Sequence, residues 1–114
     1  RRECQCLPPL GRWVEGEACV AMHAEYDSTH MPHDGFRGSI CSPGGSAQNE
    51  CQSWGSVRDT VTGCLQQMWD EGPGDFYGPP PHGHYNNMSS TSFSMLACGF
   101  YEGSSGVYAV QNFQ

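Results

Sequence analysis

Seven cysteines, at positions 4, 6, 19, 41, 51, 64 and 98 of a 114-residue chain, constrain this sequence more than any other feature. So high a density in a short chain points to an oxidising compartment, where disulfides supplement a modest core. Zinc fingers need paired C-x-x-C knuckles, and none is present: Cys4 and Cys6 are too close together and the others are scattered. Seven is odd, so the expectation is three bridges with one thiol left free, capped, or joined to another molecule. Choosing the odd cysteine and pairing the other six allows about 105 patterns, so the connectivity stays open.

The length fits a single domain over residues 1–114. Fifteen glycines, eight prolines and only 15% charged residues describe a loop-rich fold with short elements, not a disordered chain. Net charge is −7 and the five basic residues are all arginine. Phosphate backbones are repelled by such a surface, so no nucleic-acid partner is expected. An anionic membrane surface is equally disfavoured. Mean hydropathy is −0.55, and no apolar run approaches the roughly 20 residues of a transmembrane segment. The start, "RRECQC", shows no charged n-region followed by an apolar h-region; a secreted protein would be seen here in its mature form.

Residues 1–14 read as an irregular lead-in. Residues 15–26 have helical composition, with Ala18, Met22 and Tyr26 on one face. Residues 30–55 lack periodicity and read as a long loop pinned by Cys41 and Cys51. The clearest helix is "SVRDTVTGCLQQMWDEG": Ser56 caps it with Asp59 three residues on, and Gly72-Pro73 stops it. Val57, Val61, Cys64, Leu65, Met68 and Trp69 give its apolar face. After a rigid "GPGDFYGPPP" loop, "GHYNNMSS" suits one or two helical turns. "FSMLACGFY" and "GVYAVQNF", separated by "EGSSG", predict an antiparallel hairpin. Helices followed by a hairpin place the chain in the α+β class.

Four of the five histidines fall in two loop-like stretches, His30 and His33 in "THMPHDGF", and His82 and His84 in "PPPHGHY". Neutral imidazoles on converging loops are common ligands for zinc or copper. As loop residues, His30 and His82 are more simply read as exposed, and His23 as a structural residue of the first helix. Phe76 and Tyr77, beside prolines, read as exposed aromatics. Asn87 begins an N-M-S glycosylation sequon that overlaps the histidine motif.

The ordered motifs "THMPHDGFRG", "GGSAQNEC", "GCLQQMWDEG", "GHYNNM", "SFSMLACGFY" and "GVYAVQNF" resemble the CAP superfamily of cysteine-rich secretory, antigen 5 and pathogenesis-related proteins, over residues 18 to 114. The resemblance implies a secreted, disulfide-stabilised α-β-α sandwich with a small antiparallel sheet. It also implies a cleft where two histidines and two acids gather and where the histidines can hold zinc or another divalent cation. Carried across, the loop histidine is His33, the G-H-Y histidine is His84, and the helix acid is Glu71. The second acid position falls on Gln48, whose amide cannot act as a base or an anionic ligand; Glu50, two residues later, is the substitute. A family helix that usually precedes residues 15–26 has no counterpart in "RRECQCLPPLGRW", so it has been lost or its cover comes from another chain.

The function this implies is a secreted binding or interaction module with a metal-capable, histidine-lined cleft, taking a protein, lipid or small-molecule ligand. The alternatives are a metal-dependent hydrolase with Glu71 as base, and a structural subunit that self-assembles, with an intermolecular disulfide through the odd cysteine and a vestigial cleft. No nucleophile elbow or H-E-x-x-H motif is present, so whether the chain is an enzyme stays open.

Overall fold

Strand-forming residues concentrate at the C-terminal end of the chain, and the sheet is built around them. The computed structural model describes residues 1–114. β3 (Met95–Gly103) and β4 (Gly106–Phe113) form the expected hairpin, paired antiparallel from Leu96 opposite Phe113 to Gly103 opposite Gly106. The turn needs glycine at 106, where φ is +123° and a Cβ would stand 2.7 Å from the Trp54 carbonyl oxygen.

β2 (Ala47–Trp54) pairs antiparallel with β4, and the two-residue β1 (Gly11–Arg12) pairs parallel with β3. The order is β1-β3-β4-β2, a mixed sheet where an antiparallel one was expected. β2 also overturns the reading of residues 30–55 as one long loop. Its residues Gln48, Asn49, Glu50 and Cys51 are all buried, so both faces are covered and no polar–apolar alternation marks the strand.

Alternation along β4 separates two cores. Tyr108 and Val110 face α1 (Val14–Asp27), where they meet Trp13, Val20, Ala24 and Ala97. Ala109 faces the opposite side, against Cys51, Cys64 and Met68. The result is the α-β-α sandwich of the α+β class, with α1 as one outer layer and the helical segment after β2 as the other. Gly99 lets α1 lie close on β3, since a Cβ there would come within 2.4 Å of the Ala21 backbone nitrogen.

The buried stripe of α1 is not the expected one. Gly16, Cys19, Val20, His23, Ala24 and Asp27 face inward, while Met22 and Tyr26 are exposed. The inward face carries a disulfide, an imidazole and a carboxylate, so apolarity alone picked the wrong side.

The helix after β2 begins at the expected cap: Ser56 Oγ accepts the Asp59 N–H at 3.0 Å. It runs as α3 (Val57–Asp59), a widened π turn (Thr60–Cys64) and α4 (Leu65–Asp70). One extra residue in that turn rotates the helix face by about 100°. Accordingly Cys64 and Met68 are buried, while Val57 and Val61, assigned to the same face by period alone, are exposed. α2 (Asp34–Arg37) and α5 (Gly83–Ser89) are short helices at the edge of the sandwich.

Two disulfides staple these layers. Cys19–Cys41 ties α1 to the segment before β2, and Cys51–Cys64 ties β2 to the π turn. Cys4, Cys6 and Cys98 are free and exposed, so three thiols remain where one was expected. The lead-in is held by Arg2, whose guanidinium donates to the carbonyls of Pro8, Met88 and Ser90. No helix is long and apolar enough to cross a membrane.

Candidate functional site

The polar strand β2 organises the site. Asn49 Nδ2 donates to the His84 carbonyl, and Asn87 Nδ2 donates to Asn49 Oδ1 and to the Gln48 carbonyl, which fastens α5 onto β2. Asn87, the sequon asparagine, is therefore buried and used. On the other side, Glu50 Oε2 accepts the His33 N–H at 2.8 Å, and Asp27 Oδ1 accepts the Gly35 N–H at 2.7 Å. These two buried carboxyls pin the turn that holds His33 in a left-handed conformation, φ 66°.

One backbone carbonyl sets the direction of a whole chain of hydrogen bonds. Gly44 O can only accept, so the group 2.6 Å away is the Asn112 amide nitrogen, and Asn112 Oδ1 faces Gln48. That oxygen accepts from Gln48 Nε2 at 2.9 Å, which turns Gln48 Oε1 toward His33. Gln48 Oε1 then accepts from His33 Nδ1 at 2.7 Å. In the neutral ring, the proton of His33 therefore sits on Nδ1 and the lone pair on Nε2.

Glu71 does the same for the second histidine. Its Oε1 accepts from His84 Nδ1 at 2.5 Å, and its Oε2 accepts the N–H groups of His84 and Tyr85, each at 3.2 Å. A carboxylate just past one helix is thus seated on the first backbone N–H groups of the next, where its charge is favoured. The bond leaves His84 Nε2 free.

His33, His84, Glu50 and Glu71 line one cleft of about 460 Å³, with Trp54 and Met68 among its walls. A smaller adjoining space of about 130 Å³ touches both histidines, Gln48 and Phe76. Phe76 and the 91% exposed Tyr77 pack edge to face beside it, with ring centres 4.7 Å apart. Burial pushes the Glu50 carboxyl up to about 7, and neighbouring Asp27 adds to the rise against hydrogen bonds from Gln52 and the His33 backbone.

The other two loop histidines are engaged elsewhere. His30 stacks on Tyr26 and bonds the Tyr26 carbonyl at the end of α1. His82 Nδ1 reaches the carbonyls of Glu71 and Gly72 at 2.7 and 3.0 Å, which closes the end of α4.

His23 is fully buried, and burial holds its pKa down, so it is neutral. The ligand atoms of Cys19, His23 and Cys41 lie within 4.8 Å of one another, a group that could hold a metal ion. Its sulfurs are joined in a disulfide, however, and offer no thiolate in this state. Cys19 and His23 are four residues apart on one face of α1, but Cys41 lies 18 residues beyond His23 and 22 beyond Cys19, so no local spacing joined it to them.

Against known proteins, the model of the cysteine-rich secretory protein family, CAP, matches residues 6–113. No curated protein matches the chain.

Proposed function

The chain belongs to the CAP family, and we propose that it is a secreted binding module whose cleft holds a divalent cation between His33 and His84. The observation that carries this reading is the matched state of the two imidazoles. Each gives its Nδ1–H to a fixed acceptor, Gln48 Oε1 or Glu71 Oε1, and keeps Nε2 for a ligand. Metal-bound histidines are held in this way by the groups behind them. Gln48 thus replaces an acid without retiring the site, because orienting His33 needs an oxygen acceptor and not a charge.

His33 and His84 would supply the nitrogen ligands, and Glu71 and Gln48 would orient them. Two protein nitrogens leave coordination positions open, and a bound zinc would supply Lewis acidity and a binding point for an anionic or carbonyl oxygen. Phe76 and Tyr77 on the rim offer apolar contact to the rest of such a ligand. Secretion fits the two disulfides.

Calorimetric titration with zinc and with copper tests this. Binding of one ion that disappears in the His33→Ala/His84→Ala variant supports it; retained binding in that variant, or none in the unaltered protein, overturns it.

A hydrolase reading draws on one observation. Glu71 accepts three hydrogen bonds that orient His84 and α5, whereas Glu50 in the same cleft is poised near neutrality, where general acid–base groups work best. Hydrolysis of a test ester that rises through pH 7 and is lost in Glu50→Gln would favour it. An activity indifferent to that change would remove it.

A further inference from the structure

We propose that the Cys19–Cys41 disulfide is a thiol-exchange site, at which a low-molecular-mass thiol enters a cavity beside α1 and forms a mixed disulfide on Cys41 with help from His23. Its cavity is distinct from the histidine cleft, although Gln48 bonds both His23 and His33, and the step does not depend on a metal.

Three features converge there. Cys41 is half-buried and lines a cavity of about 710 Å³ together with His23, Phe36, Arg37 and Gly44. Its partner Cys19 is only 3% exposed, so an incoming reagent meets Cys41 first. His23 Nε2 lies 3.3 Å from Cys41 Sγ and 3.7 Å from Cys19 Sγ.

The hydrogen-bond chain that starts at Gly44 O decides what His23 can do. Both amide nitrogens in that chain, Gln48 Nε2 and Asn112 Nδ2, also point at His23 Nδ1 from 3.2 Å. A nitrogen facing two donors is an acceptor, so the His23 proton is on Nε2 and is directed at the sulfurs. That tautomer argues against metal ligation through Nε2, even after reduction, because Nδ1–H would then face two donors. It suits hydrogen bonding to a sulfur that is becoming a thiolate.

The step balances without any further oxidant. The incoming thiol loses its proton, and its sulfur attacks Cys41 Sγ; the Cys19–Cys41 bond breaks, and the electron pair leaves on Cys19 Sγ. His23 Nε2–H hydrogen-bonds that thiolate, which then takes up the proton released by the thiol. One R–SH and one disulfide become one R–S–S–Cys41 and one Cys19–SH. Arg37 also lines the cavity, with its guanidinium bonded to the Pro32 carbonyl and 3.7 Å from the Asp34 carboxylate.

The other disulfide is an internal control. Cys51 and Cys64 border the histidine cleft, but at 2% and 7% exposed neither is as open as the half-buried Cys41, and no N–H donates to their sulfurs.

The test incubates the folded protein with reduced glutathione, quenches with acid and maps adducts and newly alkylated cysteines by peptide mass spectrometry. The expected result is glutathione on Cys41, with Cys19–Cys41 opening at least about tenfold faster than Cys51–Cys64, the factor that one hydrogen bond to a developing charge supplies. Equal opening of the two bridges, faster opening of Cys51–Cys64, or no opening of either overturns the proposal. His23→Gln is expected to slow the Cys41 reaction about tenfold and leave Cys51–Cys64 unchanged; an unchanged Cys41 rate overturns the role of His23. Should that variant fail to fold, the comparison of the two bridges in the unaltered protein decides.

Discussion

Replacing Glu50 with glutamine should remove a pH dependence of stability that the cleft builds in. The carboxyl is buried, and its pKa stands near 7 in the folded protein, against about 4.3 when exposed. Below the lower value both states hold the proton, and the group contributes fully to stability. As the pH rises from about 4.3 to 7, the unfolded chain releases its proton while the folded one retains it, so stability falls, and above about 7 the loss is complete. At 1.36 kcal/mol per unit, the fall attributable to Glu50 is about 3 to 4 kcal/mol. His23 titrates with the opposite sign, since its pKa is lowered on folding and it favours the folded state as pH rises. The difference between the unaltered protein and Glu50→Gln cancels that contribution. Glutamine can stand in for the neutral acid: its oxygen accepts from the His33 N–H, and its amide takes the place of the Oε1 that accepts from Gln52 Nε2, so Gln52 turns its own amide to offer its oxygen. Urea denaturation of both proteins from pH 4.5 to 8 should therefore show the variant gaining about 3 to 4 kcal/mol on the parent across that range. A difference that stays flat, or that moves the other way, refutes the account of Glu50 as a buried carboxyl held in its acid form.

Other changes probe neighbouring parts of the structure. Glu71→Ala removes the acceptor that orients His84 and should weaken zinc binding about 10- to 100-fold by calorimetry. Gln48→Glu should not strengthen the site: it takes away the N–H groups that serve Asn112 and His23, and denaturation at pH 7.5 should show a loss of about 1 to 3 kcal/mol. Gly99→Ala drives a methyl into the α1 backbone and should cost about 1 to 3 kcal/mol by the same assay.

The fold was legible wherever one local signal dominated. Ser56 with Asp59, the β-rich segments around "EGSSG", and the short helix at His84 were all readable from neighbours in sequence. β2 was not, because three of its buried residues are polar: Gln48 and Asn49 are satisfied by side chains from distant segments, and Glu50 by the His33 N–H and Gln52, in place of apolar packing. The face of α1 was misread for a related reason: Cys19, His23 and Asp27 are inward for their bonds, and Met22 is outward. For the candidate site, the resemblance pointed to His33 and His84, which line one cleft, but the hydrogen bonds that set their tautomers were invisible. Those depend on Gly44 and Asn112 for one ring and on Glu71 for the other, contacts that exist only once the chain is folded.

The central claim is that both Nε2 atoms face a shared cation. Crystals grown with zinc and measured on either side of the zinc absorption edge test it directly. The account predicts one anomalous peak about 2.0 to 2.1 Å from Nε2 of both His33 and His84, with Nδ1 still bonded to Gln48 and Glu71. A peak ligated through Nδ1, one that touches only one of the two rings, or none in the cleft would contradict it.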